Sequence, residues 1–176
     1  MKKAIQLICV LLVVAMLAVP ASAAGFTPSV EQKGAPTVKE AGVTVTALAD
    51  LSKAPAEVKK IVEEAAKVIT DAKSLEEAVP TLADTLKAMN TTVKASDLVV
   101  RDLFYVALDK ELAEGEEKEL TFKAEGISAD DFLMVMVFVD GEWVIVDAEK
   151  VEVSANGEVK VTFDVVGPIA FVTENK

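Results

Sequence analysis

The spacing of hydrophobic residues predicts a short strand and then a helix in the first half of the chain. Residues 42–48, GVTVTAL, alternate apolar residues with threonines, a pattern typical of a short strand rich in β-branched residues. From Pro55 onwards, apolar residues recur every three or four positions, which predicts an amphipathic helix with Pro55 in its first turn. These apolar positions are Val58, Ile61, Val62, Ala65, Val68, Ile69 and Ala72.

A second helical stretch follows, and a proline divides it. Ser74 and Glu77 have the S-x-x-E spacing of a capping box, which predicts that a helix starts at Ser74. Pro80 interrupts that helix, so the pattern predicts a short turn and another helix from about Pro80 to Met89. The polar faces mix acids with lysines, so packing on a sheet is favoured over a membrane-active helix.

The second half of the chain changes to the period of strands. Three largely apolar segments, DLVVRDLFYVAL, KELTFKAEG and FLMVMVFV, occupy residues 97–108, 118–126 and 132–139. The last is apolar on both faces, which predicts a strand that is covered from both sides. Asp140-Gly141 and Asn156-Gly157 are each predicted to form a two-residue hairpin turn, because both positions of that turn need a positive φ. Short strands separated by such turns indicate an antiparallel sandwich or barrel.

The N-terminus has the composition of a secretory signal peptide. Two lysines precede an apolar run over residues 5–19, and a helix-breaking Pro20 and four small residues follow it. The run is shorter than the ~20 residues that span a bilayer, so a permanent anchor is not expected. Cleavage is predicted after Ala23, which leaves Ala24 as the first residue of the mature chain, with cleavage after Ala24 as the alternative. The mature protein is therefore expected to be secreted.

These patterns divide the chain into a signal peptide, a leader and one compact unit. The predicted boundaries are a signal peptide at 1–23, an extended leader at 24–41, a short strand with helices at 42–94, and an antiparallel β-sandwich at 95–176. The predicted class is α+β, mainly antiparallel β-sandwich, with the short helical segment packed against it. Everything after residue 41 is expected to fold together, because the first short strand needs a sheet partner.

The charge of the mature chain restricts its partners, and its lack of cysteine restricts how it is stabilised. Removal of 23 residues from 176 leaves 153 residues without cysteine, and the loss of two lysines changes the net charge from −11 to −13. A secreted chain without disulfides is stabilised by its core alone. Its acidity argues against nucleic acid and anionic membranes, because both attract lysine and arginine. The expected partner is an extracellular protein or a cell-wall polymer, with simple solubility as the alternative reason for the acidity.

Several segments resemble one group of proteins. DLVVRDLF, VDGEWVIVD and NGEVKVTFDVVGPIAFV are similar to the C-terminal immunoglobulin-like module of small secreted or wall-associated proteins of Gram-positive bacteria. The helical APAEVKKIVEEAAKVI and the leader GFTPSVEQKGAP resemble the same proteins. The resemblance implies an immunoglobulin-like fold and a secreted, extracellular or loosely wall-associated location, but no assigned activity and no site residues. The chain ends at FVTENK without a sorting signal, so covalent attachment to the wall is not expected.

The chemistry-bearing residues exclude most catalytic sites. The chain has no histidine, and its one cysteine lies in the predicted signal peptide, so Ser-His-Asp and Cys-His nucleophiles and His/Cys zinc sites are excluded from the mature chain. No glycine-rich phosphate loop occurs. The sequence therefore predicts no cofactor, no catalytic residue and no enzymatic activity. Carboxylates alone can still cleave glycosidic bonds, which leaves a carboxylate-only hydrolase as an alternative.

Five residues are candidates for binding. Asp130, Asp131 and Asp140 are candidate calcium ligands, with solvated turns as the alternative. Trp143 and Tyr105 are candidate platforms for stacking a sugar ring, with a core or rim position as the alternative for Trp143. The expected function is a non-catalytic extracellular or cell-envelope interaction module. A carbohydrate-binding accessory module centred on Trp143 and a carboxylate-only hydrolase are the alternatives.

Overall fold

The computed structural model describes residues 36–175 of the chain. The predicted signal peptide, its cleavage site between Ala23 and Ala24, and most of the predicted leader lie outside these residues. In the described range, no helix combines the length and the apolar composition needed to cross a membrane. The elements are β1 (Thr37–Val38), β2 (Val43–Ala47), α1 (Ala56–Asp71), α2 (Leu75–Ala78), α3 (Leu82–Ala88), β3 (Leu98–Leu108), β4 (Lys118–Lys123), β5 (Leu133–Val139), β6 (Glu142–Ile145), β7 (Val151–Val153), β8 (Glu158–Phe163) and β9 (Pro168–Glu174), with short 3-10 turns at Leu48–Lys53, Ala95–Asp97 and Ala148–Lys150.

The strands form two antiparallel sheets. The four-stranded sheet has the order β1-β4-β8-β7, and the five-stranded sheet has the order β2-β3-β9-β5-β6. β9 is the central strand of the five-stranded sheet, and β3 pairs with it from Leu98 opposite Glu174 to Tyr105 opposite Pro168. Two antiparallel sheets together with helices confirm the α+β class predicted from the sequence.

One part of the core lies between the two sheets. Phe104 and Phe171 of the five-stranded sheet contact Phe122 of the four-stranded sheet, with ring centroids 5.5 and 5.6 Å from that of Phe122. Phe163 extends the cluster on the four-stranded side, 6.1 Å from Phe122 and nearly perpendicular to it. Edge-to-face contacts of this kind add about 0.5–1.5 kcal/mol per pair beyond the burial of apolar area. The two sheets are therefore joined through an aromatic layer.

The other part of the core lies between the five-stranded sheet and the helices. Met134, Met136 and Phe138 of β5 belong to the cluster that includes the buried faces of α1, α2 and α3. Val135 and Val137, which alternate with them, belong to the cluster between the sheets. This arrangement confirms the prediction that residues 132–139 form a strand covered on both faces.

The helices begin close to the residues predicted from the sequence, and the start of α1 differs by one residue. α1 begins at the residue after Pro55, so Pro55 is the N-cap residue and not part of the first turn as predicted. The Ser74 hydroxyl accepts a hydrogen bond from the Glu77 N–H at 3.2 Å, which confirms the predicted helix start. The Glu77 carboxylate accepts from the Lys73 N–H at 2.7 Å. α3 begins two residues after Pro80, as expected for a helix that restarts beyond a proline.

The two predicted hairpin turns have different outcomes. Asp140 and Gly141 connect β5 to β6 with φ of 52° and 88°, and Val139 is paired with Glu142, as predicted for a two-residue turn. The prediction for Asn156-Gly157 is wrong. Gly157 has a positive φ of 75°, whereas Asn156 does not.

The turn before β8 is a three-residue loop. The Gly157 N–H donates to the Ser154 carbonyl and the Ser154 N–H donates to the Glu158 carbonyl, each at 2.9 Å. This is the pattern of a type I turn followed by a glycine in the left-handed region. A Cβ on Gly157 would lie 2.3 Å from the Ile127 carbonyl oxygen, so the site requires glycine both for its φ and for its close approach to that loop.

A strand that the sequence did not predict lies in the last part of the leader. Thr37 and Val38 of β1 pair with Lys123 and Phe122 of β4, at the edge of the four-stranded sheet. The leader contains few large apolar residues, so no periodicity marks this strand. Its formation depends on pairing with a strand that lies about 80 residues further along the sequence, since Val38 pairs with Phe122.

Two side chains after β1 fix it to the four-stranded sheet. The Glu40 carboxylate accepts a hydrogen bond from the Thr121 N–H at 3.0 Å, and the Lys39 ammonium pairs with Glu158 at 2.5 Å. Partial burial acts to raise the pKa of Glu40, but the hydrogen bonds from Thr121 and the nearby backbone outweigh it and lower the pKa. The hydrogen bond from Lys39 lowers the pKa of Glu158. Both carboxylates are thus held in their charged forms.

Acidification is expected to weaken the attachment of β1. A carboxylate with a lowered pKa in the folded state stabilises that state above its unfolded pKa of about 4.3, and this contribution disappears as the pH falls through the lowered folded value. The thermal midpoint of the wild type should therefore fall more between about pH 7 and about pH 3 than that of Glu40→Gln, which cannot ionise at this position. Glu57→Gln, an exposed change on α1, serves as the control. Identical declines in the wild type and Glu40→Gln would contradict the role of Glu40.

Candidate binding groove at Tyr105

A groove of about 310 Å³ lies where α1, the β5–β6 turn and the start of β9 meet. Tyr105 of β3 and Phe138 of β5 line it from the five-stranded sheet. Ile61 and Glu64 line it from α1, and Asp140 lines it from the turn. Val139, Gly141, Val166, Gly167 and Pro168 complete the lining. The groove brings two of the sequence candidates, Tyr105 and Asp140, to one place.

The alternation of β3 puts Tyr105 on the helix side of the sheet. Leu103 belongs to the cluster under the helices, and Phe104 and Val106 belong to the cluster between the sheets. Tyr105 is only half-buried, and it packs against the helix-side cluster while lining the groove. A tyrosine in such a position offers an apolar ring and a polar hydroxyl to a ligand.

The charges that line the groove are all negative. Glu64 lies on α1, and Asp140 occupies the first position of the turn, where an aspartate tolerates its φ of 52°. None of the ten lining residues is basic. Within residues 36–175, neither of these carboxylates has a basic side chain within 4.0 Å. Ile61 adds an apolar wall, and 39% of its surface is exposed.

Trp143, the other aromatic candidate, is buried and does not line the groove. Its side chain is buried, with 3% of its surface exposed, and its indole N–H donates to the Ala65 carbonyl of α1 at 3.0 Å. Its ring also contacts Phe138, with centroids 5.3 Å apart. Val144, on the opposite face of β6, is exposed instead. Trp143 therefore lies in the core, which was the alternative to its being a platform for a sugar ring. Its hydrogen bond to Ala65 also fixes α1 next to the groove.

The three candidate calcium ligands are not brought together. Asp140 lies at one end of β5, and Asp130 and Asp131 precede the other end. The Asp131 carboxylate accepts hydrogen bonds from the Ser128 N–H at 2.8 Å and the Ser128 hydroxyl at 2.7 Å. No group of three or more acidic side chains in the described range is arranged to hold a metal ion.

A buried ion pair, which sequence reasoning missed, lies further along β3. Arg101 and Asp102 are 6% and 4% exposed, and the guanidinium Nε lies 3.3 Å from the carboxylate Oδ2. The register of β3 with β9 shifts between Val100 and Asp102, which marks a bulge at this point. Arg101 Nη1 also donates to the Gly126 carbonyl at 2.8 Å. Two adjacent charges inside the apolar segment DLVVRDLFYVAL are the signal that would have identified it.

A second, smaller cavity lies at the other end of β5. It has a volume of about 170 Å³ and is lined mainly by aliphatic residues of β5, β6 and β7. Its one charged lining residue is Asp131, which is hydrogen-bonded to Ser128. It therefore offers less for recognition than the groove at Tyr105, which has an aromatic ring and two carboxylates.

No protein-family model, curated protein or solved structure matches this chain. Among the described residues, the groove at Tyr105 combines an accessible aromatic ring, apolar walls and charged groups without ion-pair partners.

Proposed function

We propose that the protein is a secreted, non-catalytic interaction module that works outside the cell or loosely attached to the cell wall. The observation that carries this proposal is the groove at Tyr105, which is open to solvent and built from α1, β3, β5 and β9. Its ligand is an extracellular protein or a cell-wall polymer. The extracellular location rests on the signal-peptide pattern of residues 1–23 and on the resemblance to Gram-positive secreted proteins.

We infer that the two sheets form an immunoglobulin-like β-sandwich. The order β1-β4-β8-β7 corresponds to the A-B-E-D sheet of that fold, and β6-β5-β9 corresponds to the C′-C-F part of the other sheet. β3 takes the place of strand G beside β9, although it precedes β4 in the chain. The helical segment lies between β2 and β3 and covers the outer face of the five-stranded sheet. The order of the strands in the two sheets supports the inference. The fold differs from the immunoglobulin topology in the place of β3 along the chain.

The carboxylates support a non-catalytic role. A general acid needs a pKa raised towards neutrality. Hydrogen bonding lowers the pKa of Glu40 against the effect of burial, and Lys39 lowers that of Glu158. Asp102, a buried carboxylate, is paired with Arg101. Within the groove, the acidic residues that a hydrolase could use are Glu64 and Asp140.

A carbohydrate-binding module is the second candidate function, with Tyr105 in place of Trp143 as the aromatic platform for the sugar ring. Trp143 is buried, whereas Tyr105 lines the groove together with two carboxylates that can accept hydrogen bonds from hydroxyl groups. An aromatic ring beside hydrogen-bond acceptors is a combination suited to a sugar ring.

Replacement of Tyr105 by Ala is expected to weaken binding to the natural ligand by about tenfold or more, because a buried aromatic contact is a typical hot spot. Wild type and Tyr105→Ala would be immobilised and incubated with purified cell-wall polymer and with envelope and secreted protein fractions. Phe132→Ala is the matched control, since Phe132 is also half-buried but precedes β5 at its other end. Thermal unfolding of each variant shows whether it is folded.

Equal retention of ligand by wild type and Tyr105→Ala would remove the groove as the binding site. The same protein would be assayed with glycan, peptide and ester substrates. Turnover that Glu64→Gln or Asp140→Asn abolishes would overturn the non-catalytic role and identify a carboxylate-only hydrolase.

A further inference from the structure

The charge of the groove restricts what it can bind. A ligand that fills it lies beside the acidic residues Glu64 and Asp140, which no basic lining residue neutralises. Removing a charge from water is costly unless the charge is paired and hydrogen-bonded. A neutral ligand leaves both negative charges unpaired, and an anionic ligand adds repulsion. A positively charged group is the chemistry that offsets the cost.

The shape of the groove favours a long side chain with a charge at its end. Ile61, Phe138 and Pro168 offer apolar surface for a methylene stem, as lysine and arginine stems require. The Tyr105 ring is available for a cation–π contact, and carboxylates on two sides can accept charge-assisted hydrogen bonds. The volume of about 310 Å³ exceeds what a single small cation would fill.

We propose that the groove binds a lysine or arginine side chain presented by a segment of a partner protein. This inference rests on the proposed function and names the ligand chemistry of the same site. Glu64 and Asp140 bind the cationic group, Tyr105 contacts it through its ring, and the apolar walls contact the stem. The net charge of −13 expected for the mature chain attracts a basic partner at long range and increases the rate of encounter.

The test uses small probes that isolate one side chain. N-acetyl-L-lysine N-methylamide and its arginine and norleucine counterparts would be titrated into the purified isotope-labelled protein and followed by NMR. The lysine or arginine probe should shift the amide signals around Glu64 and Asp140 and saturate, whereas the neutral norleucine probe should not. The double variant Glu64→Gln/Asp140→Asn should weaken this binding by about tenfold or more, since it removes both charge-assisted contacts. Asparagine tolerates the positive φ at position 140, so the turn is preserved.

The control separates a specific site from general acidity. Glu76→Gln/Asp130→Asn removes the same number of charges from exposed residues outside the groove, and it should leave binding within about twofold of wild type. Equal losses in the two double variants, or equal binding of the norleucine probe, would overturn the proposal. Saturable binding of a methyl glycoside without binding of the cationic probes would overturn it in favour of a sugar.

The experiment distinguishes this inference from the proposed function. If no cationic probe binds but Tyr105→Ala still loses the natural ligand, the interaction module stands and the cationic ligand is wrong. If no cationic probe binds and Tyr105→Ala also retains the natural ligand, both proposals are wrong.

Discussion

The substitution Asp102→Asn is expected to lower the free energy of unfolding by about 3–5 kcal/mol, because it leaves the Arg101 guanidinium buried without a counter-charge. Arg101 and Asp102 are 6% and 4% exposed, so water has little access to the guanidinium in place of the lost carboxylate. Asparagine keeps the shape of the side chain and removes its charge. Urea unfolding, followed by tryptophan fluorescence, measures the change.

Removal of both charges should cost much less than removal of one. Arg101→Met/Asp102→Leu places apolar residues in the bulge, and replacement of a buried pair in this way is often neutral or stabilising by about 1–4 kcal/mol. The Gly126 carbonyl, which loses the hydrogen bond from Arg101, lies in an exposed residue and can bind water instead. The double variant is therefore expected to recover most of the stability lost in Asp102→Asn.

An exposed ion pair provides the control for this experiment. Asp50 and Lys53 lie 3.0 Å apart with exposed side chains, and Asp50→Asn should cost less than about 1 kcal/mol. If Asp102→Asn costs no more than Asp50→Asn, the buried pair does not contribute through its charge.

The parts of the fold that the sequence predicted correctly depend on local patterns. The alternation of residues 42–48 corresponds to β2, and the helical spacing after Pro55 corresponds to α1. Asp140-Gly141 forms the predicted turn because both residues tolerate a positive φ wherever they occur. In each case, the residues that determine the structure are neighbours in the chain.

The parts that were missed depend on contacts between distant residues. β1 exists because it pairs with β4, and the turn at Gly157 is shaped in part by the carbonyl of Ile127. Tyr105 and Asp140 were named from the sequence, but the packing of α1 on the sheet adds Ile61 and Glu64 to the same groove. Periodicity marked Ile61 as one of the residues of the apolar face, and the structure exposes 39% of its surface at the end of the covered sheet.

The substitution Trp143→Ala is expected to lower the free energy of unfolding by about 3–5 kcal/mol, because it removes a large buried ring from between α1 and the five-stranded sheet. Trp143→Phe keeps most of that apolar volume and loses the hydrogen bond to Ala65, which is worth about 0.5–1.5 kcal/mol. Val144→Ala is the control on the neighbouring residue, whose side chain is 48% exposed on the opposite face. Urea unfolding, followed by circular dichroism, compares the three variants.

The same variants link the core to the groove. Ala65, which accepts the Trp143 indole N–H, is the residue after Glu64, so the tryptophan fixes the part of α1 that lines the groove. Under conditions in which all variants remain folded, Trp143→Ala should bind the lysine or arginine probe more weakly than wild type, because Ile61 and Glu64 lose their fixed position. Trp143→Phe and Val144→Ala should bind it nearly as well as wild type. Loss of stability in Trp143→Ala without any loss of binding would mean that the groove does not depend on the position of α1.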